Sequence, residues 1–131
     1  MIDKDIVMKD YRVIIAGGRE FNDYTMLKET VDEFLDDKFQ THNVIIVSGH
    51  AAGADALGER YAQERGLICE AHPADWVNNG RAAGPIRNAE MAAVADALIA
   101  FWDGSSKGTA DMIKKARIKA LKVVVVSYEK V

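Results

Sequence analysis

Three glycine-containing segments carry most of the chemistry legible in this chain. They are Ala16-Gly17-Gly18-Arg19, Ser48-Gly49-His50-Ala51-Ala52-Gly53-Ala54-Asp55 and Asp103-Gly104-Ser105-Ser106-Lys107-Gly108-Thr109. Glycine lets backbone N–H groups come close to a ligand, and arginine grips a phosphate or carboxylate through two parallel hydrogen bonds. In the first segment Gly17 and Gly18 offer that approach and Arg19 the grip; the alternative is a tight turn bearing a surface arginine. The second runs from an apolar stretch into a helical one, so free amides and the positive end of a helix dipole form an anion site at Ser48, Gly49 and Gly53. Asp55 either caps that helix or accepts a hydrogen bond from a ribose hydroxyl. His50 is a proton carrier only if it has a partner, and otherwise a loop residue. In the third, Gly104, Ser105, Gly108 and Thr109 can surround a phosphate with Lys107 beside them, although the spacing is not that of a Walker A loop. An ordinary linker is the alternative.

A fourth group follows in Asn78, Asn79, Arg81, Arg87, Asn88 and Glu90. Arg87 and Glu90, three residues apart, share a helical face and form either an anion clamp with an adjacent acid or a surface ion pair. Trp76 just before them is either a ring that stacks on a base or an anchor for a partner protein. Trp102 reads as core. Cys69 is the only cysteine, which excludes an internal disulfide and a multi-cysteine zinc site and is expected as a small buried apolar residue. No metal-ligand set is visible and no cofactor is required; Mg2+ enters only as a companion of a phosphate ligand.

Positioning these groups falls to four continuous apolar runs, Val13 to Ala16, Val44 to Val47, Ala97 to Trp102 and Val123 to Val126, with a weaker fifth at Leu67 to Ala71. Continuous rather than alternating apolarity predicts strands of a parallel sheet covered on both faces. Between them, Leu27, Val31, Phe34 and Leu35 share one face of a helix. Ala54 to Arg65 is a second helix closed by Gly66, Ile86 to Ala95 a third opened by Pro85, and Thr109 to Ala120 a fourth. The alternation predicts an α/β fold: one domain over residues 1–131, a doubly wound parallel sheet of about five strands flanked by about four helices. Ligands of such sheets bind beyond the carboxyl ends of the strands. The stretch from Pro73 to Gly84 exceeds the usual loop length and is expected as an irregular functional loop.

Hydrophobic residues make up 49% and charged residues 28%, the balance of a globular protein. The net charge of −3 supplies no global field for a nucleic-acid backbone, so nucleic acid is not the expected partner. The start of the chain is too charged for a signal peptide, and no apolar run approaches the roughly 18 residues that span a bilayer. A cytoplasmic protein without membrane contact is the expectation.

RVIIAGGREF at 12–21, VIIVSGHAAGADALGERYA at 44–62 and GPIRNAEMAAVADALIAFWDGSSKGT at 84–109 together resemble the SLOG superfamily of Rossmann-like proteins, and within it the small YspA-like branch. The resemblance covers nearly the whole chain and implies a nucleotide-binding domain. The middle segment is similar to the SGxAxGxD stretch of the DNA-processing protein family, which belongs to the same superfamily and binds single-stranded DNA. A shared phosphate-binding turn at Ser48, Gly49, Gly53 and Asp55 is thereby implied. DNA binding is not, because this acidic chain lacks a row of basic and stacking aromatic residues.

The last segment is similar to the Lonely Guy phosphoribohydrolases, which cleave the N-glycosidic bond of cytokinin nucleoside monophosphates. Their helix carries an arginine, a basic residue and a methionine; Arg87 and Met91 fit, and Asn88 replaces the basic residue. Gly108 and Thr109 match their phosphate loop, PGGxGTxxE. Arg87 is thus implied as a catalytic or phosphate-gripping arginine. The glutamate of that loop falls on Met112, neither an acid nor a base, which leaves Glu90 or Asp111 to supply the carboxylate that glycosidic cleavage needs. The glycine-containing segments and the resemblance together lead to the expectation of a protein that binds a nucleoside phosphate or an ADP-ribose-like ligand at the carboxyl edge of the sheet, as a sensor or carrier. The alternatives are a nucleoside 5'-monophosphate phosphoribohydrolase and a partner-binding module. Related enzymes pair, so a homodimer is expected.

Overall fold

The apolar runs lie at the centre of five parallel strands. A computed structural model describes residues 8–129; residues 1–7 of the charged N-terminal segment, and residues 130 and 131, lie outside them. In chain order the elements are β1 (Lys9–Gly17), α1 (Tyr24–Leu35), β2 (His42–Ser48), α2 (Ala54–Arg65), β3 (Ile68–Ala71), α3 (Trp76–Asn79), α4 (Ala83–Val94), β4 (Ala97–Trp102), α5 (Lys107–Ile118) and β5 (Lys122–Ser127). The strands run in the order β3-β2-β1-β4-β5. Val13 of β1 sits between Ile46 of β2 and Ala97 of β4, so the central strand is hydrogen-bonded on both sides.

Successive side chains of β1 point to opposite faces, and each face needs its own cover. Val13 and Ile15 join Leu27, Val31 and Leu35 of α1 and Tyr61 of α2 in one buried cluster. Ile14 and Ala16 join Met91 and Ala92 of α4 and Met112, Ile113 and Ala116 of α5 in the other. The result is a three-layer sandwich whose sheet is covered on both faces, as the continuous apolar runs require. Each of the fully buried valine, isoleucine and leucine side chains among them contributes about 1.5–3 kcal/mol relative to exposure.

The helix boundaries have local causes. Asp23 accepts from the Met26 N–H at 3.0 Å and starts α1. Gly66 ends α2 in the left-handed conformation, φ 67°, with its N–H turned to the Ala62 and Gln63 carbonyls. Two helices begin earlier than the sequence suggests: α4 at Ala83, with Pro85 inside its first turn, and α5 at Lys107.

The stretch from Pro73 to Gly84 is not irregular throughout. Asp75 accepts from the Asn78 N–H at 3.1 Å and caps α3, and a 3-10 turn over Gly80–Ala82 leads directly into α4. Cys69 is exposed rather than buried, because β3 is an edge strand on which Ile68 also stands 66% exposed. Trp102 is half-buried; its body packs on the second cluster while its indole Nε1 donates to the Ser106 carbonyl at 3.1 Å. Among the described residues, no helix is long and apolar enough to cross a membrane.

Candidate functional site

From β1 the chain winds outward through β2 to β3, then returns to the other side of β1 as β4. The carboxyl ends of β1 and β4 therefore open away from each other, and a crevice forms between their exit loops. Here it is a cavity of about 400 Å³ whose lining includes Gly17 at the end of β1 and Arg19 after it, Asp55 of α2, Arg87 and Asn88 of α4, Ser105 of the loop after β4, and Gly108 and Thr109 at the start of α5.

Two of the glycine loops are fastened to each other. The Gly18 carbonyl accepts from Phe21 N at 3.2 Å and from Ala54 N at 3.1 Å. A Cβ on Gly53, which has φ 76°, would collide with that carbonyl, and a Cβ on Gly18 would collide with the Tyr128 hydroxyl. Gly18 and Gly53 thus hold the loops together and do not line the cavity. The first amide of α2 is spent in this clasp, so α2 offers less of an anion site than its sequence suggests. Ser48 is buried and turns the other way, donating to Glu59 at 2.7 Å and accepting from His50 N at 3.1 Å. His50 has a partner, Glu59, 2.9 Å from its Nδ1.

Asp55 is not the helix cap, a position that Gly53 occupies. Its carboxylate accepts from Ala51 N at 3.3 Å and stands in the cavity wall, 6% exposed. Burial pushes its pKa up to about 6, against the lowering effect of the Ala51 N–H and of the Arg87 charge. Arg87 is held in place from two sides: Nη1 donates to the Gly49 carbonyl at 2.6 Å and Nε to Asn88 Oδ1 at 3.1 Å. Nη2 makes no hydrogen bond among the described residues. Arg19 stands exposed at the rim.

At the far wall, the Asp103 carboxylate accepts from Ser105 N at 2.9 Å and Ser106 N at 2.8 Å. The loop amides are thereby turned onto Asp103. The amides left over are those of the first turn of α5, Lys107, Gly108 and Thr109, because the intrahelical ladder starts with Ala110 N donating to Ser106. Gly108 is open to space, and Gly104 stands in the loop outside the lining.

Neither of the two proposed carboxylates lines this cavity, although Asp111 lines a smaller depression beside it that Arg87 shares. Glu90 is 57% exposed on α4, with His72 at 3.8 Å. Asp111 accepts from Lys115 at 2.7 Å and from Asn88 Nδ2 at 3.0 Å. Burial opposes its ionisation, but the Lys115 and Asn88 hydrogen bonds outweigh that and hold its pKa below the usual range. The structure brings Asp55, not Glu90 or Asp111, into the cavity wall with Arg87.

Asn88, named in the sequence among the fourth group but given no role there, is a cavity-wall residue. It is buried, orients Arg87 through its oxygen and binds Gly108 O at 3.2 Å and Asp111 through its nitrogen. The signal was available: Asn88, Met91, Ala92 and Ala95 fall on one helical stripe, and a polar residue on an apolar stripe needs partners. Among the described residues no three His, Cys, Asp or Glu side chains come together to hold a metal ion.

The winding, the strand order and the crevice between β1 and β4 define an open α/β protein of the Rossmann-like class. Residues 11–78 match the family described as YspA, cpYpsA-related SLOG family, and the chain belongs to that family. It is similar to the Gene 61 protein of Mycobacterium phage D29, 36% identical over 121 residues that span 86% of this chain and 94% of that protein. Its fold is that of DNA processing protein A (DprA) from Streptococcus pneumoniae, with a TM-score of 0.69 at 17% identity over 89% of this chain. The chain spans 50% of the length of that structure.

Proposed function

We propose that the protein binds a nucleotide or a nucleotide-derived phosphate ligand in the crevice at the carboxyl edge of the sheet. The observation that carries this reading is the convergence of Arg19, Arg87 and the unspent first-turn amides of α5 on one cavity. Two guanidinium groups and a helix N-terminus are complementary to a phosphate. Membership of the SLOG family supports the same reading.

A thermal-shift screen against nucleoside mono-, di- and triphosphates, NAD and ADP-ribose tests it, because a ligand selective for the folded state raises the melting temperature. One ligand class is expected to raise it. Arg87→Ala should weaken that ligand by about ten- to a hundredfold, and Arg19→Ala by less, because Arg19 is exposed while Arg87 is already held by Gly49 and Asn88. Unchanged affinity in both variants removes the proposed clamp.

Asp55 favours a second reading, that of a nucleoside 5'-monophosphate phosphoribohydrolase. A buried carboxyl that holds its proton to about pH 6 beside an arginine suits general acid catalysis of glycosidic cleavage. Asp55, rather than Glu90 or Asp111, is then the acid. Release of free base from purine monophosphates, lost in Asp55→Asn, is the expected result; no turnover across the nucleoside monophosphates ends this reading.

A further inference from the structure

Trp76 is the feature of the crevice that the phosphate clamp does not use. It lies on α3, 51% exposed, in the segment that joins β3 to α4. Its ring is a wall common to two depressions beside the main cavity. One, of about 380 Å³, lies toward Gly49 and Pro73; the other, of about 300 Å³, toward Gly84, Pro85 and Lys107. Arg19 and Arg87 line both of them.

The indole lies against Gly84 of α4 at ordinary contact distance. A Cβ built on Gly84 would stand 3.5 Å from Trp76 Cη2 and 3.9 Å from Arg87 Nη2. The free end of the Arg87 guanidinium and the edge of the indole therefore flank the same point of α4. Asp75 caps α3 through its oxygen to Asn78 N, which holds the short helix and its tryptophan in place.

We propose that Trp76 is the stacking surface for the base of the ligand, so that the site takes a nucleotide and discriminates against a bare sugar phosphate. The inference rests on the phosphate reading of Arg19 and Arg87 given above. With a phosphate on Arg87 Nη2, the rest of the ligand extends either into the main cavity or along the indole. An exposed indole beside two cations presents a π-face, which any nucleobase can match, next to the charges that hold its phosphate. A partner protein anchored on Trp76 would instead cover both depressions and close this side of the crevice.

The test compares adenosine 5'-monophosphate with ribose 5-phosphate by titration calorimetry on the whole chain. Wild type is expected to bind the nucleotide at least about tenfold more tightly, the range that stacking on one aromatic ring supplies. Trp76→Ala should abolish that preference and leave ribose 5-phosphate affinity unchanged, while Trp76→Phe retains most of it. A preference that survives in Trp76→Ala, or an equal loss for both ligands, overturns the assignment and leaves the phosphate clamp standing. If wild type binds neither ligand, the clamp fails and the assignment with it. Melting curves of each variant separate loss of binding from loss of fold.

Discussion

Asp55 is 6% exposed and carries its proton to about pH 6, well above the ordinary aspartate value of 3.8. The cause is burial, which the Ala51 N–H and the charges of Arg87 and Arg19 only partly offset, while Glu59 pushes the same way as burial. The sign of the pH effect follows. The folded state binds this proton more tightly than the unfolded state, so the associated stability is complete below about pH 4. It is lost as pH rises through about 6 and is absent at neutrality. A shift of this size corresponds to a difference on the order of 2–3 kcal/mol. Asp55→Asn keeps an oxygen for the Ala51 N–H and removes the charge, so the variant is expected to gain on wild type in melting temperature between pH 4 and pH 7. Parallel curves for the two proteins would show that Asp55 ionises freely in the fold.

At this scale the sequence disclosed which residue types could line a cavity better than where they would sit. Arg19, Arg87, Gly108 and Thr109 reach the cavity as their motifs suggest. Glu90 misses it because its side chain stands exposed toward His72, and Asp111 because Lys115, one turn further on, claims its carboxylate. Neither outcome can be read from spacing alone, since each depends on the rotation of one helix against its neighbours.

Among the elements, the two glycine loops that cross at Gly18 and Gly53 determine how accurately the site is built. Gly53→Ala must accommodate a Cβ at φ 76° against the Gly18 carbonyl, which forces the loops apart. A cost of about 1–3 kcal/mol in chemical denaturation, with loss of ligand binding, is expected. Gly108→Ala meets open space on a helix and is expected to be neutral or to stabilise by up to about 1 kcal/mol. If both variants behaved alike, the clasp between the loops would not be what shapes the site.

Long elements were legible because their patterns repeat. The continuous runs became strands, and Leu27, Val31 and Leu35 became the buried face of α1. α3 has four residues and cannot display a helical period, so only its Asp75 cap marks it in the sequence. Cys69 was misjudged for a related reason: an apolar residue is buried only if its strand is flanked, and β3 lies at the edge. Strand order is a property of the assembled sheet, and the alternation of strands and helices fixes the class of fold without fixing which strand stands outermost.

Charge sets the last constraint, across the whole molecule. The chain carries a net −3, and among the described residues the crevice gathers three cations, Arg19, Arg87 and Lys107. A polynucleotide gains affinity by neutralising successive phosphates, and each neutralised phosphate of a single strand steepens the salt dependence by about 0.7 in log–log slope. Three cations therefore limit the slope to about −2, and a net charge of −3 provides no overall attraction for further nucleotides. Fluorescence anisotropy of labelled oligothymidylates of increasing length, between 50 and 200 mM salt, should show weak binding that does not strengthen with length. A slope much steeper than about −2 with affinity rising along the series would mean that the protein follows a strand as a polymer. The crevice would then be one stop on a longer track, and the proposed mononucleotide ligand would be replaced by single-stranded nucleic acid.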